Sequence, residues 1–143
     1  MITDDKFLLY AKRILSQKSI QEEELRTAIS RAYYSLYHTT SSVMRKKYSI
    51  QLINEIRRNY PKKKIDLAKL NRLDKKYLSG FNLHRILFFT LLNLGFITEA
   101  FQFKDFRSKR NEADYDLALN FTQADSITIV NEVEKLMTAL KNI

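Results

Sequence analysis

Ala28-Ile29-Ser30-Arg31-Ala32-Tyr33-Tyr34-Ser35-Leu36-Tyr37-His38 lies at the centre of the segment that decides the fold. At about 100° per residue, Leu25, Ile29, Ala32, Leu36 and Val43 line one side of a helix, flanked by Ala28, Tyr33 and Thr40. Arg31, Tyr34, Ser35, His38 and Ser42 gather in a narrow polar sector roughly opposite. Apolar residues at this period mark an amphipathic helix laid against a core. The pattern predicts one long helix from about Ile20 to Lys47, opened by a capping box of Ser19 with Glu22 three residues later.

The rest of the chain is also written in helical period. Thr3 is placed to cap a first helix whose apolar side is Phe7, Leu8, Ala11, Ile14 and Leu15. Ser49 to Asn59 reads as a short helix ended by Pro61, and Ile65 to Leu78 as another, before a break at Ser79-Gly80. Asn82 is a cap for an apolar helix over Leu83 to Leu94, with Gly95 as its stop. A helix is expected from about Thr98 through Leu119. Thr122 with Asp125 opens the last one, Gln123 to Asn142, whose core face is Ile127, Val130, Val133, Leu136, Met137 and Leu140. Two glycines and one proline in 143 residues are too few turn formers for a strand-built domain. The expected class is therefore all-α, one domain spanning 1–143, long enough to bury roughly two thirds of its unfolded surface.

Composition removes several kinds of chemistry. The absence of cysteine excludes disulfides, thiolate zinc sites and thiol nucleophiles. His38 and His84 are the only histidines and form no His-x3-His pair, so neither a metal nor a cofactor is expected. There is no Gly-rich phosphate loop and no serine in a nucleophile elbow. The acidic start, Met1-Ile2-Thr3-Asp4-Asp5, does not resemble a secretion signal, and the apolar stretch Ile86 to Ile97 is too short to span a bilayer. A cytoplasmic protein without a membrane anchor is expected.

The net charge of +9 is concentrated: twelve Lys and Arg against three acids lie between Arg45 and Lys76, and the remaining charges balance. Lys62, Lys63 and Lys64 form its densest run, and Tyr48, Tyr60 and Tyr77 interleave the basic residues. Such a segment attracts polyanions with strong salt dependence, and its aromatic rings suit stacking on unpaired bases. The same segment also suits a plain solubilising surface.

The second polar face belongs to Arg110-Asn111-Glu112-Ala113-Asp114-Tyr115. Arg107, Arg110, Asn111 and Asp114 follow i, i+3, i+4, i+7 spacing and share one helix face. Two arginines and an asparagine make a donor array suited to a phosphate. They equally suit a clasp between helices, in which Asp114 pairs with Arg31 or Arg110 while Tyr34 and Tyr115 close the network.

Together these segments resemble the HEPN superfamily of small helical domains. The likeness is to a prokaryotic branch with a Ser-Arg-Ala-Tyr-Tyr helix, here Ser30 to Tyr34, and a later Arg-x-x-Ala-Asp-Tyr helix, here Arg110 to Tyr115. His84 and Gly95 also resemble that branch. The resemblance covers roughly 5–46 and 80–141, with a basic helical insertion at about 45–79 between them. It implies a four- to five-helix bundle that forms a homodimer with its motif faces together. It also implies frequent partnership with a minimal nucleotidyltransferase in toxin–antitoxin or defence loci.

Many members of that superfamily are metal-independent ribonucleases, with a motif of Arg, a polar residue, three more residues and His. Aligned so, Arg110 is the motif arginine, Asn111 the polar residue, and Tyr115 stands where the histidine would be. A histidine titrates near pH 6.5, whereas ionising a tyrosine at that pH costs about 5 kcal/mol. The reading that follows is a domain that binds RNA or a nucleotide-bearing partner. Arg31, Tyr34, His38 and Arg107 join the site, and Lys62 to Lys64 add charge. In a ribonuclease toxin, Arg110 and Arg107 would stabilise the phosphate and Asn111 would position it, with Tyr34, His38, Asp114 and Tyr115 completing the site. The third reading is a non-catalytic structural dimer or antitoxin-like scaffold.

Overall fold

A computed structural model describes residues 4–18 and 20–143, and its secondary structure is entirely helical. The elements are α1 (Asp4–Leu15), α2 (Glu22–Lys47), α3 (Ser49–Asn59), α4 (Leu67–Asn71), α5 (Lys75–Leu78), α6 (Leu83–Asn93), α7 (Ile97–Tyr115) and α8 (Gln123–Lys141). The all-α expectation holds. Thr3 and Ser19, the expected caps of α1 and α2, lie outside the described residues. Among the described residues, no helix is long and apolar enough to cross a membrane.

The chain divides into two compact units, and the divisions fall within α2 and α7. The first unit takes residues up to 39 and from 102 onward. In it α1 packs along α8, and Lys12 of α1 forms an ion pair with Glu134 of α8. Leu8, Ala11, Ile14 and Leu15 are buried as the pattern requires, and so are Leu25, Ala28, Ile29, Ala32, Tyr33 and Leu36 of α2. Tyr33 packs on Phe103 of α7 with ring centroids 6.0 Å apart. On α8 the buried face is Ser126, Ile129, Val130, Val133, Leu136, Met137 and Leu140. Ile127, expected in that face, is 38% exposed. Ile129 takes the core position because it falls in line with Ser126, Val130 and Val133 at helical period.

The second unit, 40–101, is built on α3 packed against α6. Buried Glu55 of α3 holds the pair together: Arg58 Nη1 donates to it at 2.8 Å, Asn59 Nδ2 at 2.8 Å, and Asn93 Nδ2 of α6 at 2.6 Å. Gly95 ends α6 as expected. Its φ is +89°, and a Schellman pair forms, Phe96 N–H to the Leu91 carbonyl and Gly95 N–H to that of Leu92. Asn82 caps the same helix by accepting the Arg85 N–H.

Two expected helices are corrected. The stretch Ile65 to Leu78 is not one helix: it breaks at Leu73, whose φ is +51°, and Asp74 then caps α5 by accepting the Tyr77 N–H. The second correction concerns α7, which stops at Tyr115 rather than Leu119 for a reason given below.

Candidate phosphate site

The site lies in the first unit, where α2 and α7 bring their polar residues together. Tyr33 and Tyr34 are neighbours on α2, with Tyr33 buried and Tyr34 half-buried. The Arg110 guanidinium sits over both rings, 5.3 Å from the Tyr33 centroid and 5.7 Å from that of Tyr34. This is cation–π geometry. One turn on, Asp114 Oδ2 accepts from Arg110 Nη1 at 3.4 Å and from Ser30 Oγ at 3.4 Å. Of the two clasps the sequence allowed for Asp114, the chain makes the one with Arg110 and not the one with Arg31.

These contacts leave the cations under-used. Charge-assisted hydrogen bonds normally close to about 2.7–2.9 Å, and both bonds to Asp114 are longer. The Arg110 side chain is only 11% exposed, yet its Nε is buried with no hydrogen-bond partner. Arg107 Nε, one turn earlier on the same face, is in the same condition. Of the two arginines, Arg110 alone is bonded to a carboxylate among the described residues, and that bond to Asp114 is 3.4 Å long. Burial pushes the Tyr33 hydroxyl above the ordinary tyrosine range, and the positive charges of Arg107 and Arg110 oppose that shift without reversing it.

Phe7 of α1 gathers the remaining polar residues of α2. Its ring stacks on His38 at 5.8 Å and 15°, tilts against Tyr34 at 6.2 Å, and lies 5.9 Å from the Arg31 guanidinium. His38 also meets the edge of Tyr37 at 5.3 Å. Arg31, Tyr34, His38 and Arg110 thus belong to one run of contacts in which Tyr34 is the joint. Asn111 and Tyr115 are exposed, Tyr115 by 75%, and do not enter that run. Ser35, placed by period in the same polar sector, is fully buried.

Lys62, Lys63 and Lys64 are exposed in the second unit, on the connection from α3 to α4. Lys63 is tied locally, its Nζ 4.3 Å from the Phe81 centroid and donating to the Gly80 carbonyl at 3.3 Å. Among the described residues, no group of three His, Asp or Glu side chains is placed to hold a metal ion.

Arg26 is the residue that sequence reasoning missed. Its Nη1 donates to the carbonyls of Glu112, Ala113 and Asp116, its Nη2 to that of Leu119, and its guanidinium lies over Phe121. One cation thereby satisfies the carbonyls left over at the C-terminus of α7 and folds the following chain back. This is why α7 ends at Tyr115. The only sequence signal was Glu22 one turn before Arg26, with which it pairs at 3.1 Å.

Comparisons of the chain with protein-family models, with curated proteins and with solved structures return no match.

Proposed function

We propose that this chain is a HEPN-type helical domain that binds RNA, or a nucleotide-bearing partner, by holding a phosphate at Arg107 and Arg110. The observation that carries the reading is the pair of buried guanidinium nitrogens without partners, Arg107 Nε and Arg110 Nε, with Arg110 bonded to Asp114 only at 3.4 Å. A phosphate oxygen is the acceptor such a donor set fits best, and the planar fork of arginine suits it. Tyr33 and Tyr34 hold the Arg110 guanidinium in place, so little side-chain freedom remains to be lost on binding. The HEPN likeness extends this to a homodimer working beside a minimal nucleotidyltransferase in a toxin–antitoxin or defence setting.

Binding is favoured over cleavage because exposed Tyr115 stands at the position that the ribonuclease motif gives to histidine. A second reading has one observation behind it: the Ser30–Asp114–Arg110 contacts close within one chain, as a structural clasp would. Labelled single-stranded RNA incubated in EDTA with wild type and with Arg110→Gln, then run on native and denaturing gels, separates the readings. The expected result is a wild-type shift with intact RNA, weakened about 10-fold in the variant. Wild-type cleavage lost in the variant would make the protein a metal-independent ribonuclease. An absent shift would leave the scaffold.

A further inference from the structure

A second feature of the first unit lies one tyrosine ring away from Arg110. Between α1 and α2 an open pocket of about 310 Å³ is lined by Lys6, Phe7, Tyr10 and Arg31. Tyr10 lies one turn on from both Lys6 (i, i+4) and Phe7 (i, i+3) of α1 and so neighbours each of them. Tyr10 is 48% exposed, which is a large apolar surface to leave on a helix already carrying exposed Leu9. The Arg31 guanidinium lies 5.9 Å from the Phe7 ring and 6.0 Å from that of Tyr10. No carboxylate among the described residues forms an ion pair with Lys6 or Arg31. The pocket therefore joins aromatic faces to two uncompensated positive charges.

An occupant must use both properties. An aliphatic chain would use the rings and waste the cations, and an acidic side chain would do the reverse. A nucleobase on its sugar–phosphate uses both: its π-face stacks on an aromatic ring or a guanidinium plane, and its phosphate meets a lysine. The volume stands at the low end for ligand pockets, which begin at about 300 Å³, and suits one base. The pocket wall is also continuous with the phosphate site, since Phe7 touches Tyr34 and Tyr34 touches Arg110.

We propose that the Lys6–Phe7–Tyr10–Arg31 pocket is a nucleobase subsite, stacking one base of the RNA strand whose phosphate rests on Arg107 and Arg110. This rests on the RNA-binding reading above and adds to it a preference for unpaired strands carrying bases. The test compares two labelled probes of equal length, oligo(A) RNA and the same ribose–phosphate backbone made abasic. Wild type is expected to bind oligo(A) about 10-fold more tightly. Tyr10→Ala should lose most of that preference while holding its affinity for the abasic strand, and Tyr10→Phe should restore it. Arg31→Met should weaken both probes and oligo(A) more. Tyr10 and Arg31 are both exposed, and thermal melts check that each variant folds. Equal wild-type affinities for the two probes, or a preference untouched by Tyr10→Ala, would overturn the subsite and leave phosphate binding standing. Failure to bind either probe would overturn the RNA reading itself.

Discussion

Tyr33 shows how one residue serves packing and site together. Its ring is buried against Phe103, and the Arg110 guanidinium lies over it. Burial raises its pKa above that of the unfolded chain, which is about 10, so the folded state holds the proton more tightly. The associated stability is complete below pH ~10 and is lost as pH rises beyond it. Urea denaturation at successive alkaline pH values should show wild-type stability falling above that point and a shallower fall in Tyr33→Phe. Parallel curves would mean that Tyr33 titrates in the fold as it does in the unfolded chain. At this scale the sequence was half legible. The i, i+4 spacing announced Arg110 with Asp114, but Tyr33 read only as a flank of the apolar side. Phe7 read as core and is instead the hub that Arg31, Tyr34 and His38 share.

The elements were legible where their ends are written locally and illegible where they are set from afar. Asn82, Gly95 and Thr122 act as stop and start signals through bonds to residues three to five positions away. The break between α4 and α5 hides because Leu73 adopts a backbone conformation unusual for leucine, and Asp74 looked like one more acid in a helix. The end of α7 depends on Arg26, 86 to 93 residues distant, which no window of sequence contains. Arg26→Met keeps the apolar stem and removes every one of those donors. It should cost about 2 kcal/mol in urea denaturation, because charged hydrogen bonds are lost and carbonyls are left bare. Amides over 116–121 should then exchange faster with solvent. Unchanged stability and exchange would show that the α7 terminus holds without Arg26.

Across the molecule, charge and site fall in different units. Residues 40–101 carry the entire excess of +9, while the first unit, with Arg31, Arg107 and Arg110, is neutral by sequence. The basic excess was plain from composition, as was its confinement to one segment. The under-satisfied arginines were not, because an unpartnered nitrogen is a property of packing and leaves no mark in a sequence. Two kinds of contribution to binding follow. Substituting Lys62, Lys63 and Lys64 together by Gln should flatten the salt dependence of RNA binding by up to about 2 in log–log slope, at about 0.7 per phosphate on a single strand. No change in slope would assign those lysines to the surface alone.

Phosphate binding at Arg110 is tested by the affinity for single-stranded RNA, measured by fluorescence anisotropy from low to high salt, for wild type, Arg110→Gln and Arg110→Lys. If a phosphate sits on Arg110, the Gln variant binds about 10-fold more weakly with a slope shallower by about 0.7. The Lys variant, keeping the charge without the fork, falls between them. Three superimposable salt titrations from proteins with equal melting behaviour would contradict the account and leave Arg110 and Asp114 as a clasp between helices.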